Sequence, residues 1–277
     1  MGNELRSDGP DRREALREQL IRVRIAGEVA TPREGNLLHY RRMVAKDPGY
    51  QFGLKLKDWT FDETLAMMAR LCGVNPDPRH AWGIDTIDPD RTLDALDAMA
   101  DRIAAAARRQ ATVLLATGHP ERLMGVYRAV EDGLRAAGCA VLTPAAGWSY
   151  HVPGSSGPKY REITYTSGVA ALMSKDGRLE HTHDPQPMQV MLRELDSAWP
   201  DFVIADHGWA GAAGEAGIET VGFADCNDPA LFAGHAEGKI AVTVPLDDGL
   251  RPEHYLPLTA YLLARAGIAP THPSDTP

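Results

Sequence analysis

The stretch Ala198–Asp248 constrains the fold more than any other part of the chain. Three short apolar runs, Phe202–Ala205, Glu219–Ala224 and Ile240–Val244, alternate with segments suited to short helices. Each run is followed at once by polar residues: Asp206-His207-Gly208, Asp225-Cys226-Asn227-Asp228 and Pro245-Leu246-Asp247-Asp248. Continuous apolar runs separated by helices are the pattern of parallel strands buried on both faces. The expected class is therefore α/β, with a doubly wound, mostly parallel Rossmann-like sheet. Ligands of such sheets bind outside the carboxyl ends of the strands, where this chain places its Asp and His residues.

The upstream sequence extends the same pattern. Ala111–Ala116 reads as a core strand, Glu121–Ala137 as an amphipathic helix stopped by Gly138, and Cys139–Leu142 as the next strand. Before residue 110 the chain reads as mostly helical. Thr31-Pro32-Arg33-Glu34 and Thr60-Phe61-Asp62-Glu63 both carry capping-box spacing, and Asp88-Pro89 opens a long helix. The expected organisation is a helical part over 1–110 and a Rossmann-like part over 111–270. A small hairpin is expected near 169–183, where Asp176-Gly177 is a turn signal, and residues 271–277 read as a tail.

With 277 residues and a net charge of −9, the chain lacks the basic character of a general nucleic-acid binder. Three widely spaced cysteines and no CxxC argue against a disulfide framework or structural zinc, and point to the cytoplasm. No apolar run approaches a membrane span, and the charged N-terminus carries no signal core. A homodimer is the common default for such enzymes.

Candidate chemistry lies on the predicted strand ends. His119 follows the first strand and Arg122 the start of its helix, where free N–H groups favour anions and a guanidinium can grip phosphate. Arg122 reads equally as a solvated side chain or a partner of Glu121. Asp206 and His207 occupy the same position on another strand; the competing reading is a helix cap beside a satisfied core imidazole. Asp225, Asn227 and Asp228 suit Mg²⁺ or another divalent cation, or sugar hydroxyls, although Asp and Asn also favour ordinary turns. Ser155, Ser156 and Lys159 lie in a glycine-rich loop able to meet phosphate without P-loop spacing, and Arg251 is a further anion candidate. His181 and His183 would share a face of a strand, as metal ligation needs, but the segment reads better as a hairpin arm leading to a helix cap. The Trp209–Gly214 segment does not match the dinucleotide fingerprint, so no nicotinamide or flavin signature is present.

Two resemblances follow from these motifs. Ala224-Asp-Cys-Asn-Asp-Pro-Ala-Leu231, with Val244-Pro-Leu-Asp-Asp248, resembles the end of a ribosomal small-subunit protein family. That likeness spans about 50 residues and implies only a Rossmann-like fold. Thr117–Pro120, Gly154–Gly157, Asp206–Gly208 and Asp225–Asp228 together resemble a bacterial protein group labelled phosphatase. This resemblance implies phosphomonoester hydrolysis of a small metabolite or nucleotide. The aspartyl, cysteine and histidine phosphatase signatures are all missing from the sequence. His119, His207 and Asp206 then become the catalytic candidates. Arg122, Ser155, Ser156, Lys159, Asn227 and Arg251 are the phosphate-binding set, and Asp225 and Asp228 the metal ligands. A nucleotide-sugar transferase or lyase, or a non-catalytic anion-binding module, fits the same edge.

Overall fold

The computed structural model describes residues 9–154 and 157–268. Helices are α1 (Gly9–Arg22), α2 (Arg33–Val44), α3 (Phe61–Leu71), α4 (Pro89–Arg108), α5 (Pro120–Ala136), α6 (Gln186–Leu195), α7 (His207–Glu215), α8 (Pro229–Ala236) and α9 (Leu256–Ala266). Strands are β1 (Gly27–Pro32), β2 (Ile84–Ile87), β3 (Thr112–Ala116), β4 (Ala140–Val141), β5 (Ser149–Val152), β6 (Lys159–Thr166), β7 (Val169–Met173), β8 (Leu179–Glu180), β9 (Phe202–Ala205), β10 (Thr220–Ala224) and β11 (Val242–Pro245).

The main sheet runs β11-β10-β9-β3-β7-β6-β5, with β4 also on β3 and β8 on β7. Strands β11, β10, β9, β3, β4 and β7 pair in parallel; β5, β6 and β8 are antiparallel. Every residue of β9, β10 and β11 is buried, as expected where helices cover both faces. Helices α1, α4, α5 and α9 pack together, while α2, α3, α6, α7 and α8 form the other group. Each fully buried Val, Leu or Phe at these interfaces contributes about 1.5–3 kcal/mol. Among the described residues no helix is long and apolar enough to cross a membrane.

The Rossmann-like expectation holds in its central strands. The chain leaves β3 toward β4 and β7, then returns to β9 on the other side. The β3 and β9 ends are therefore neighbours at the switch point, where such sheets leave a crevice. The strands β7 and β8 pair antiparallel across the expected Asp176-Gly177 turn, and β7 is in addition an integral strand beside β3. Because β6 runs antiparallel to β7 and β5 to β6, the end of β5 and the start of β6 lie toward the carboxyl edge of the parallel strands.

The front of the chain carries strand as well as helix. The strands β1 and β2 form a two-stranded antiparallel ribbon. Thr31 does not cap α2. Its hydroxyl instead donates to Asp225 (2.6 Å), and Pro32 stands at the N-cap without a side-chain bond. Thr60 does close the expected capping box on α3 with Glu63, and Asp88 accepts from the Asp90 N–H to cap α4.

A buried ion pair anchors this front part. Arg33 Nη1 donates to Asp85 Oδ2 at 2.9 Å with both side chains fully buried. Asn36 donates to the same oxygen and to Cys226 Sγ, and the Tyr40 hydroxyl donates to the Cys226 carbonyl. These bonds fasten α2 to the end of β10. Cys72, Cys139 and Cys226 are all buried and unpaired.

Candidate functional site

The site grows from the ends of β3 and β9. Asp206 follows β9 and is fully buried. Its carboxylate accepts from the Thr117 hydroxyl (2.7 Å), the Gly118 N–H (2.5 Å) and His207 Nδ1–H (2.8 Å). The Thr117 hydroxyl also accepts from the His119 N–H (3.0 Å). Asp206 makes no side-chain cap on α7; it joins two strand ends and orients an imidazole. His207 sits in the left-handed backbone region, with φ of +47°. That conformation costs a branched-free residue about 1–3 kcal/mol and persists only when its surroundings fix it.

With Nδ1 committed to Asp206, His207 presents Nε2 to the centre of the site. Asp228 Oδ2 lies 3.3 Å from that nitrogen and Asp248 Oδ2 3.5 Å. His119 Nδ1 lies 3.3 Å from the same Asp248 oxygen, but is buried without an aligned hydrogen bond.

Two further imidazoles complete the cluster. His181 stacks on His119 at 4.4 Å between ring centroids, and His183 stacks on His207 at 4.8 Å. Both lie in the connection after β8 rather than on a strand. Glycines let this connection reach the two strand ends. A Cβ on Gly118 would stand 2.4 Å from the Thr182 carbonyl oxygen, and one on Gly208 would stand 2.2 Å from that of His183. Gly208→Ala is expected to push the His183 segment outward and lower kcat/KM about 10²-fold, the scale of a 1 Å misplacement. Steady-state kinetics beside an unfolding curve separate this effect from loss of the fold.

The electrostatics follow from this packing. Burial disfavours the His207 imidazolium, but Asp228 and Asp206 outweigh it and hold the pKa well above the usual value. Burial likewise opposes the charge on Asp228, yet His207 holds that carboxyl down at about 2. His181 is pushed down to about 3 by burial, then by His207 and His119. His183 is lowered by burial and then by His207. A positive charge therefore belongs at His207 Nε2, while His181 and His183 stay neutral with lone pairs available.

Among the described residues, two sets of groups have ligand atoms close enough to hold a metal ion: His119, His181 and His207, and His183, His207 and Asp228. Imidazoles with a carboxylate are a fitting donor set, and Asp206 behind His207 is the outer carboxylate that fixes a ligating tautomer. A divalent cation would satisfy the clustered carboxylates and the unpartnered His119 Nδ1. It would replace a proton at His207 Nε2.

The structure thus brings together His119, Asp206, His207 and Asp228 from the sequence candidates, and adds His181, His183 and Asp248. Asp225 is buried beside them, but its oxygens accept from Thr31 and the Cys226 N–H. Its pKa is raised by burial and by Asp248 and Asp247. Asn227 is half-buried, and its backbone carbonyl meets His39 Nδ1 at 3.0 Å. Arg122 is half-buried on the first turn of α5, with no acidic partner among the described residues. Lys159 is exposed at the start of β6, and exposed Arg251 lies 3.9 Å from Glu253. Ser155 and Ser156 lie outside the described residues. A cleft of about 420 Å³ opens beside His181 and His183, walled by Pro48, Tyr150, Val152 and Arg161.

A doubly wound sheet with four imidazoles and three carboxylates clustered at its carboxyl edge defines an α/β enzyme with a histidine–carboxylate centre. A sequence model of the family described as Phosphatase matches residues 11–270. Phosphatase SCO2771 from Streptomyces coelicolor is 46% identical over 268 residues, covering 94% of this chain and 98% of that protein. The chain belongs to this phosphatase family, and the resemblance carried by its motifs holds over nearly its whole length.

Proposed function

We propose that this phosphatase hydrolyses small phosphomonoesters at the carboxyl edge of the sheet, with divalent metal held by the histidine–carboxylate cluster. The observation that carries the reading is His207 Nε2, which faces Asp228 and Asp248 while Asp206 fixes its other nitrogen. His119, His181, His183, His207 and Asp228 would hold the metal, with Asp248 beside them. Imidazole-rich sets suit zinc, iron or similar transition ions better than magnesium, which prefers oxygen ligands. When bound, the metal supplies Lewis-acid charge against the phosphoryl oxygens and makes bound water more acidic.

The chain's own residues do the rest. The positive end of the α5 dipole favours an anion, and Arg122 on that turn adds a guanidinium free of acidic partners among the described residues. Asp206 holds the His207 tautomer through Nδ1–H. The cleft beside His181 and His183 receives the leaving group, with Tyr150 as an aromatic wall held by its hydroxyl donating to Asp184 (2.7 Å). Positioning and charge neutralisation are the main requirements of phosphoryl transfer, and these residues provide both.

The test is phosphate release from a panel of small phosphomonoesters and nucleotides before and after chelation. Chelated protein is expected to lose at least about 10²-fold in rate, with recovery on adding Mn²⁺ or Zn²⁺ and little on adding Mg²⁺. Full activity in the chelated, metal-free protein would sink the metal reading and leave a histidine–arginine mechanism.

A further inference from the structure

We propose that the cluster holds two metal ions side by side, with Asp248 between them. The inference rests on reading these residues as a metal centre and adds the number of ions and their division among the ligands.

The donors exceed what one ion can gather. The ligand atoms of a single ion must all lie close to one another around it. Here the ligand atoms fall into two sets, each within 4.8 Å internally, and the sets share only His207. His119 and His181 belong to one set, His183 and Asp228 to the other. His207 has one nitrogen to offer, because Asp206 occupies Nδ1. It can serve one ion only, so the other keeps two ligands of its own set and needs one more.

Asp248 is placed to supply it. Its Oδ2 lies 3.3 Å from His119 Nδ1 and 3.5 Å from His207 Nε2, so with His207 serving the ion of His183 and Asp228, one carboxylate faces ligands of both positions. Its side chain is only 10% exposed, and Asp206 and Asp228 lie behind and beside the histidines. Three carboxylates in this pocket offset the charge of two divalent cations better than that of one. Two ions roughly 3.5–4 Å apart are a known arrangement for clamping both the attacking and the leaving oxygen of a phosphoryl group.

The experiment uses the full chain, stripped by chelation and titrated with Mn²⁺ alone. Bound metal is counted by mass spectrometry, and electron paramagnetic resonance reads the coupling between ions. Two equivalents with a spin-coupled spectrum are expected. His183→Gln and His119→Gln are each expected to retain one equivalent with an uncoupled six-line spectrum. One equivalent in the unaltered protein, or two without coupling, overturns the proposal, and neither result depends on a variant folding. Absence of any bound ion overturns both this proposal and the metal reading it rests on. Two coupled ions without phosphate release from any ester uphold the two-ion centre while removing the hydrolytic reading.

Discussion

His207→Ala is expected to lower kcat/KM by at least about 10³-fold and to weaken metal binding in the same preparation. The imidazole is the one group shared by both sets of ligand atoms, and its orientation is fixed by Asp206, the carboxylate that joins β3 to β9. Removing it deprives the centre of its common ligand and leaves Asp228 and Asp248 facing one another without the positive charge between them. Asp206→Asn is the informative comparison. An amide can still accept from Thr117 or Gly118, but it no longer attracts the His207 Nδ1 proton as a carboxylate does. Loss of such an outer partner costs about 10–100-fold in metal affinity or activity. Parallel measurement of rate and metal content should therefore rank His207→Ala well below Asp206→Asn. Equal losses in both would mean that Asp206 acts as a structural tie and not through the imidazole.

Asp85→Ala is expected to destabilise the fold by about 3–5 kcal/mol, because it leaves the Arg33 charge buried without its partner. For a chain of this size the midpoint of thermal unfolding should fall by roughly 10 °C. The damage should spread, since Asp85 also accepts from Asn36 and from the N–H groups of Asn75 and Thr86. Replacing Arg33 and Asp85 together, Arg33→Met with Asp85→Leu, should cost much less, as apolar groups of similar volume often replace a buried pair without loss. Calorimetry on the single and double variants checks this order. A double variant as unstable as the single one would show that the hydrogen bonds to Asn36, Asn75 and Thr86, not the stranded charge, dominate.

The sequence made the strand ends legible but not the way they meet. Apolar runs flanked by small and polar residues are local signals, and they located β3, β9, β10 and β11 with His119, Asp206, His207 and Asp228 at their ends. His181 and His183 were visible as a pair whose spacing matched a strand face. In the structure they lie beyond β8 in irregular chain, and they join the cluster only because Gly118 and Gly208 let that chain approach closely. No local spacing encodes such a contact. The glycine directly after each strand-end residue was the available clue, since glycine there removes the Cβ that would block a neighbouring backbone. Asp248 stood at a strand end in the sequence but was outweighed by its turn signal: Asp-Gly is a common turn, and Asp247 does accept from the Gly249 N–H. Thr31 had the spacing of a cap, yet its hydroxyl found the long-range acceptor Asp225. The ribbon of β1 and β2 pairs segments more than fifty residues apart, beyond the reach of periodicity.

The strand order has a consequence for how the protein matures. The clustered side chains come from the ends of β3 and β9, the connection after β8, the start of α8 and the segment after β11, and span His119 to Asp248. Such non-local pairing must wait for distant parts of the chain to close their loops. During synthesis the pocket remains incomplete until the segment carrying Asp248 has left the ribosome and β11 has docked beside β10. Capture of an ion by this cluster would therefore be a late event of folding, and a nascent chain halted before that point would carry most of the histidines with no place to use them.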